Sequence, residues 1–268
     1  FLTLPGLANA HSHAFHLSLR GRTQTGTGSF WTWREQMYKA AQRLEPDTYR
    51  RLATAVFGEM ALAGVTSVGE FHYLHHGAGG VPYEDANAMG AALVAAAAEA
   101  GIRITLLDTC YLHGGIGVAP NETQQRFSDG DGLAWAARVT ALAELQSPTC
   151  RIGAAIHSVR AVDPATMEIV AAWAGAHDAV LHAHVSEQPA ENEQCVEAYG
   201  LTPTALLADR GVLDQRFTAV HATHLAVSDI ELYGTHHSTI CMCPTTERDL
   251  ADGQPQAAPR AGAGEHLG

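Results

Sequence analysis

Leu4-Pro5-Gly6-Leu7-Ala8-Asn9-Ala10-His11-Ser12-His13 is the stretch on which the fold turns. Residues 4–10 read as a first β-strand, which stops at a His-Ser-His triplet. No Gly-rich phosphate turn follows, which argues against a doubly wound nucleotide-binding sheet. Residues i and i+2 at a strand end point to the same side, so the His11 and His13 imidazoles can aim at one metal ion. A His-x-His taken alone is as often two unrelated polar side chains.

Outward from that strand, short β-type runs alternate with helical patterns. A helix over 46–63, with Pro46 in its first turn and Gly64 past its end, leads to a strand over 65–71. A helix over 85–100, closed by Gly101, precedes a strand over 102–110. Then come a helix over 132–145, a strand over 151–157, and a helix over 163–176 opened by Asp163-Pro164. A strand over 179–185, helices over 191–199 and 203–210, a strand over 217–221, a short helix over 228–233 and a strand over 239–243 complete the pattern. Seven such alternations predict parallel β/α units. Chemically capable residues sit at the C-terminal ends of strands one, two, four, five and six, where a (β/α)8 TIM-type barrel builds its active site. A doubly wound open sheet is the competing architecture. No eighth strand is legible: beyond Leu250 the chain is rich in Ala, Gly and Pro. The expected organisation is an incomplete barrel over 1–253 and a divergent tail over 254–268. The start at Phe1, without Met, reads as a piece of a longer chain.

Composition narrows the function classes. A formal net charge of −12 without a basic stripe excludes nucleic acid as the expected partner. No apolar run nears the ~20 residues that cross a bilayer. Five scattered cysteines, an odd number, argue against a disulfide framework, and the expected location is cytoplasmic. The unusual count is 16 histidines, which invites a metal.

Two further signals fall at matching places. His184 ends the fifth strand and Glu187 follows in the loop, offering a third imidazole and a carboxylate able to move protons. His182 faces the same side but sits deeper. His221 ends the sixth strand, where an imidazole can orient a water or polarise a substrate. His224, in the next loop, reads as a surface or packing residue.

The combined pattern resembles the amidohydrolase superfamily. Longer strings are similar to its formimidoylglutamate deiminases: Ala-Asn-Ala-His-Ser-His-Ala-Phe at 8–15, Ser-Phe-Trp-Thr-Trp-Arg-Glu at 29–35, and Gly-Glu-Phe-His-Tyr-Leu-His-His at 69–76. Ala-Ile-His-Ser-Val-Arg-Ala at 155–161, His-Val-Ser-Glu-Gln-Pro-Ala at 184–190 and Cys-Met-Cys-Pro-Thr-Thr-Glu-Arg-Asp-Leu at 241–250 extend the likeness over about 4–253. The resemblance implies a barrel of the metal-dependent hydrolase kind, with one divalent metal, Zn2+, held by His11, His13 and His184. It implies hydrolysis of N-formimidoyl-L-glutamate to N-formyl-L-glutamate and ammonia, a step of histidine degradation. Glu187 would carry protons from water to the departing nitrogen, and His221 would hold the attacking oxygen.

A small anionic substrate with two carboxylates calls for arginine forks. Arg160, three residues past His157, is the first candidate, and Arg34, in a loop with Trp31 and Trp33, the second. Tyr73 and His157 would add hydrogen bonds, and the role of His16 stays open. Trp135 and Trp173 read as packing, Cys241 and Cys243 as interior filling, and His75-His76 as loop decoration. The resemblance also implies a metal-binding Asp on strand eight and a small β-sandwich. Neither is matched, and Asp229, Asp249 and Asp252 lie outside any such motif, so weak zinc binding and poor turnover are expected. A nucleobase or nucleoside deaminase and a catalytically inactive barrel are the alternatives. A homodimer is left open.

Overall fold

The computed structural model describes residues 3–21, 30–250, 253 and 266–267, with backbone alone at 30–32, 250 and 266–267. Its centre is a parallel sheet of β1 (Leu7–Ser12), β2 (Val65–His72), β3 (Arg103–Cys110), β4 (Cys150–Ile156), β5 (Leu181–Val185), β6 (Phe217–His221), β7 (Thr239–Cys241) and β8 (His266–Leu267). Neighbours in sequence are neighbours in the sheet throughout. Helices α1 (Phe30–Ala41) and α2 (Pro46–Leu62) follow β1, α3 (Ala88–Ala100) follows β2, and α4 (Glu122–Gln125) and α5 (Gly132–Leu142) follow β3. Then α6 (Pro164–Ala176) follows β4, α7 (Pro189–Tyr199) and α8 (Pro203–Asp209) follow β5, α9 (Val227–His236) follows β6 and α10 (Pro244–Leu250) follows β7. The result is a nearly closed (β/α) barrel.

Local chemistry sets many of these boundaries. The Asp163 side chain accepts the Thr166 N–H at 3.0 Å, and Thr202 accepts that of Ala205 at 3.1 Å, so α6 and α8 begin at capped ends followed by proline. Gly101 closes α3 in the left-handed region at φ 76°, which only a residue without Cβ adopts cheaply. Strands with helices outside and side chains inside are buried on both faces, and all five residues of β5 are buried. One glycine is required by sheet closure: a Cβ at Gly69 would stand 2.6 Å from the Ala10 carbonyl oxygen, so its absence lets β1 seat against β2.

Three local expectations change. Arg34 lies on α1 rather than in a loop; its neighbours 33–41 wind on as helix. The seventh strand ends at Cys241, because Cys243-Pro244 opens α10. A two-residue β8 pairs with β7, Thr239 against His266 and Ile240 against Leu267, where no eighth strand was legible. Two residues are too few to display a period, so nothing in an Ala/Gly/Pro-rich tail marks them. Among the described residues no pairing joins β8 to β1. No helix among them is long and apolar enough to cross a membrane.

Candidate metal and active site

Three imidazoles meet at the C-terminal mouth of the barrel. His184 Nε2 lies 3.3 Å from His13 Nε2 and 3.3 Å from His11 Nε2. The opposite nitrogens are anchored: His13 Nδ1 is 2.9 Å from the Phe71 carbonyl oxygen, and His184 Nδ1 is 2.9 Å from that of His157. A carbonyl only accepts, so it places the proton on Nδ1 and leaves a lone pair on Nε2. The His13 and His184 Nε2 lone pairs face each other directly, with His11 Nε2 beside that of His184, an arrangement that calls for a cation. Burial drives all three rings toward the neutral form that ligates metals, His13 down to about 3 and His11 and His184 well below the usual range. The donor set fits a divalent ion such as zinc.

Strand β2 braces this turn. Glu70 Oε1 accepts the Ala14 N–H at 2.6 Å, directly after His13. Burial pushes Glu70 up to about 8, against the opposing pull of the Ala14 N–H and the Ser12 side chain.

Opposite the trio, the ends of β5 and β6 break into left-handed backbone at Ser186 (φ 51°), His221 (φ 67°) and Ala222 (φ 50°). Such conformations cost about 1–3 kcal/mol each and gather at functional sites. They turn Glu187 and His221 toward one another, with His221 Nε2 3.6 Å from Glu187 Oε1. The His221 ring stacks on His184 at 5.5 Å and stands 6.0 Å from His11.

A cavity of about 1030 Å³ opens over these groups, and all nine side chains expected from the sequence line it: His11, His13, His184, Glu187, His221, Arg160, His157, Tyr73 and Arg34. Arg160 Nε donates to Glu191 Oε2 at 3.3 Å, and the two terminal nitrogens of the fork have no protein acceptor among the described residues. The other oxygen of Glu191 accepts the Ser186 N–H at 3.1 Å, so one buried carboxylate ties the arginine to the turn that carries Glu187. The His157 ring lies 4.4 Å from Tyr111 and 5.3 Å from Tyr73, and burial, with Arg160 next, holds its pKa well down. The Tyr73 hydroxyl bonds to His16 Nε2 at 2.8 Å, which gives His16 a place in the pocket wall. Arg34 stands over the Tyr38 ring at 5.7 Å.

A family model described as "Amidohydrolase family" matches residues 2–264. The chain belongs to that amidohydrolase family. It is 36% identical over 99% of its length to formimidoylglutamate deiminase of Pseudomonas aeruginosa, covering 59% of that protein. It is 27% identical to 8-oxoguanine deaminase of the same species, covering 58% of it. The crystal structure of an amidohydrolase from Brucella melitensis superposes with a TM-score of 0.90 at 37% identity, over 98% of this chain and 59% of that one. Atrazine chlorohydrolase TrzN from Arthrobacter aurescens TC1, complexed with zinc, shares the fold at a TM-score of 0.88 and 23% identity, over 99% of this chain and 59% of that one. The chain thus spans about three fifths of the length of these relatives.

Other sequence expectations fare differently in this amidohydrolase barrel. His75 and His76 are buried rather than loop decoration. His75 Nε2 bonds to the Thr109 carbonyl at 2.9 Å and His76 Nε2 to Asp129 at 2.9 Å, because the segment after β2 folds inward onto a paired-charge network. In it Arg138 bridges Asp108 and Asp129, and Trp135 Nε1 donates to Asp108 at 3.0 Å, so that tryptophan does more than pack. Asp229 caps α9 by accepting the Ala226 N–H at 2.9 Å, and Asp249 pairs with Arg248 on the surface. Asp252 and the Trp31 side chain lie outside the described residues. Cys241 and Cys243 both line the cavity. Glu70 and Glu191, which brace the site, and Glu247, whose Oε1 lies 3.2 Å from His221 Nδ1, were not singled out in the sequence. Glu70 and Glu247 do fall inside quoted strings, and Glu191 is an acidic residue in the first turn of a helix, the faint signals available.

Proposed function

We propose that the chain forms the catalytic barrel of a metal-dependent deiminase that hydrolyses N-formimidoyl-L-glutamate to N-formyl-L-glutamate and ammonia. The observation that carries the substrate class is Arg160, held by its Nε on Glu191 with both terminal nitrogens left for a ligand beside the histidine trio. A flat neutral base has no use for such a fork, whereas a carboxylate takes it in two parallel bonds. Arg34 is assigned to the second carboxylate, and Tyr73 and His157 to hydrogen bonds along the chain of the substrate. The 36% identity to formimidoylglutamate deiminase supports the same reading.

His11, His13 and His184 would hold one Zn2+, whose Lewis acidity supplies a nucleophilic water near neutral pH. Glu187 accepts a proton from the attacking water as its oxygen bonds to the formimidoyl carbon. It returns that proton to the imino nitrogen, which becomes an amine. The proton left on the added oxygen then passes through Glu187 to the same nitrogen, so that a C=O bond forms as the C–N bond breaks and ammonia leaves. His221, fixed at the facing strand end, contacts the attacking oxygen. The five cysteines are free thiols, which supports a cytoplasmic location.

The test is ammonia release by the zinc-loaded chain. Release from N-formimidoyl-L-glutamate, without release from 8-oxoguanine or 5-methylthioadenosine, supports the assignment. Turnover of a heterocycle alone moves the chain to the nucleobase or nucleoside deaminases. Tight stoichiometric zinc with no turnover of any of them favours an inactive barrel.

A further inference from the structure

Glu247 sits in the first turns of α10, and its side chain folds back toward β6. One oxygen, Oε1, accepts the Cys243 N–H at 2.9 Å and lies 3.2 Å from His221 Nδ1. Both side chains are buried, Glu247 at 2% and His221 at 4% relative exposure. The other nitrogen of the ring, Nε2, is 3.6 Å from Glu187 Oε1. His221 therefore stands between two carboxylates, one on the cavity side and one behind it.

We propose that Glu247 is a positioning residue that keeps the His221 proton on Nδ1 and turns the Nε2 lone pair into the cavity. Oε1 already accepts the Cys243 N–H, so it acts as an acceptor toward the ring as well, and the 3.2 Å contact places a proton on Nδ1. In a neutral imidazole that leaves Nε2 as an acceptor. The reverse tautomer would donate from Nε2 to Glu187 and occupy the carboxylate assigned to proton transfer. The backbone at His221 and the next residue is left-handed, at φ 67° and 50°, so the ring rides on a strained turn and needs a second point of attachment. Glu247 provides it, and is itself held by the Cys243 N–H.

The consequence for turnover rests on the catalytic reading of His221, whereas the tautomer does not. The test is long-range proton–nitrogen correlation NMR of 15N-labelled chain at pH 8, with His221 assigned by comparison with His221→Gln. Wild type is expected to show the Nδ1–H tautomer. Glu247→Gln, whose amide oxygen still accepts, is expected to keep it, and Glu247→Leu to lose it while retaining a cooperative thermal melt. Glu247→Ala serves should the leucine variant fail to fold. In an active preparation, kcat falls at least tenfold in the leucine variant and less in the glutamine variant, with KM within about threefold. A wild-type proton on Nε2, or an unaltered tautomer in Glu247→Leu or Glu247→Ala, overturns the proposal. An inactive wild type with the Nδ1–H tautomer leaves the positioning role standing and removes only the deiminase reading.

Discussion

Arg160 is joined to Ser186 through the two oxygens of Glu191, at 3.3 Å on the arginine side and 3.1 Å on the backbone side. The group assigned to a substrate carboxylate and the turn that carries Glu187 share one buried anchor. Arg160→Met is expected to lower kcat/KM for N-formimidoyl-L-glutamate about a hundredfold, corresponding to ~3 kcal/mol, mostly through KM. Glu191→Gln should lower kcat as well, because it slackens both attachments. Steady-state kinetics separate the two. An arginine variant with unchanged KM defeats the carboxylate assignment.

Metal retention depends on the converging Nε2 atoms. His13→Ala is expected to weaken zinc binding by more than about 100-fold, beyond what loss of a supporting hydrogen bond causes. Zinc at a hundred times its dissociation constant stabilises a fold by about 2.7 kcal/mol, so wild type should melt higher with the ion and the variant should not. Elemental analysis after dialysis and thermal melts give two independent readings.

Glu187→Gln is expected to keep zinc stoichiometry while kcat drops by about 10²–10⁴, the range for a lost general acid–base. Coincident loss of the metal would assign Glu187 to metal binding instead.

Acid should unfold the barrel through its buried neutral histidines. His75 and His182 are each held down to about 4, burial being the largest cause. Above the unfolded value near 6.5 both states are neutral and nothing is lost. As pH falls from about 6.5 toward 4 the unfolded chain takes up protons that the folded one refuses, so stability declines by ~1.4 kcal/mol per pH unit for each group. Urea unfolding of His182→Gln across that window should show a shallower decline than wild type. Identical slopes contradict the assignment.

How far the site could be read from sequence follows from how its residues are held. His11, His13, His184 and His221 were legible because a strand end carries its own rule: side chains two apart share a side, and the C-terminal end of a barrel strand faces the mouth. Arg160 and Glu187 were legible by their short distance along the chain from such ends. Glu247 was not, because it reaches His221 from an element 26 residues away, and Glu70 reaches Ala14 across 56. His75 and His76 misled for the same reason: their burial depends on Asp108, Asp129 and Arg138, which only folding brings beside them.

The sequence by itself determined the alternation of strands and helices, the barrel, and the ring of imidazoles at its mouth, since these rest on periods of two and on local caps. The tertiary structure alone decided which nitrogen of His13 and of His184 faces a backbone carbonyl, which carboxylates stand behind the working groups, and that His266–Leu267 adds to β7. Hydrogen bonds between elements depend on distances across the fold, and no local pattern of side chains encodes those.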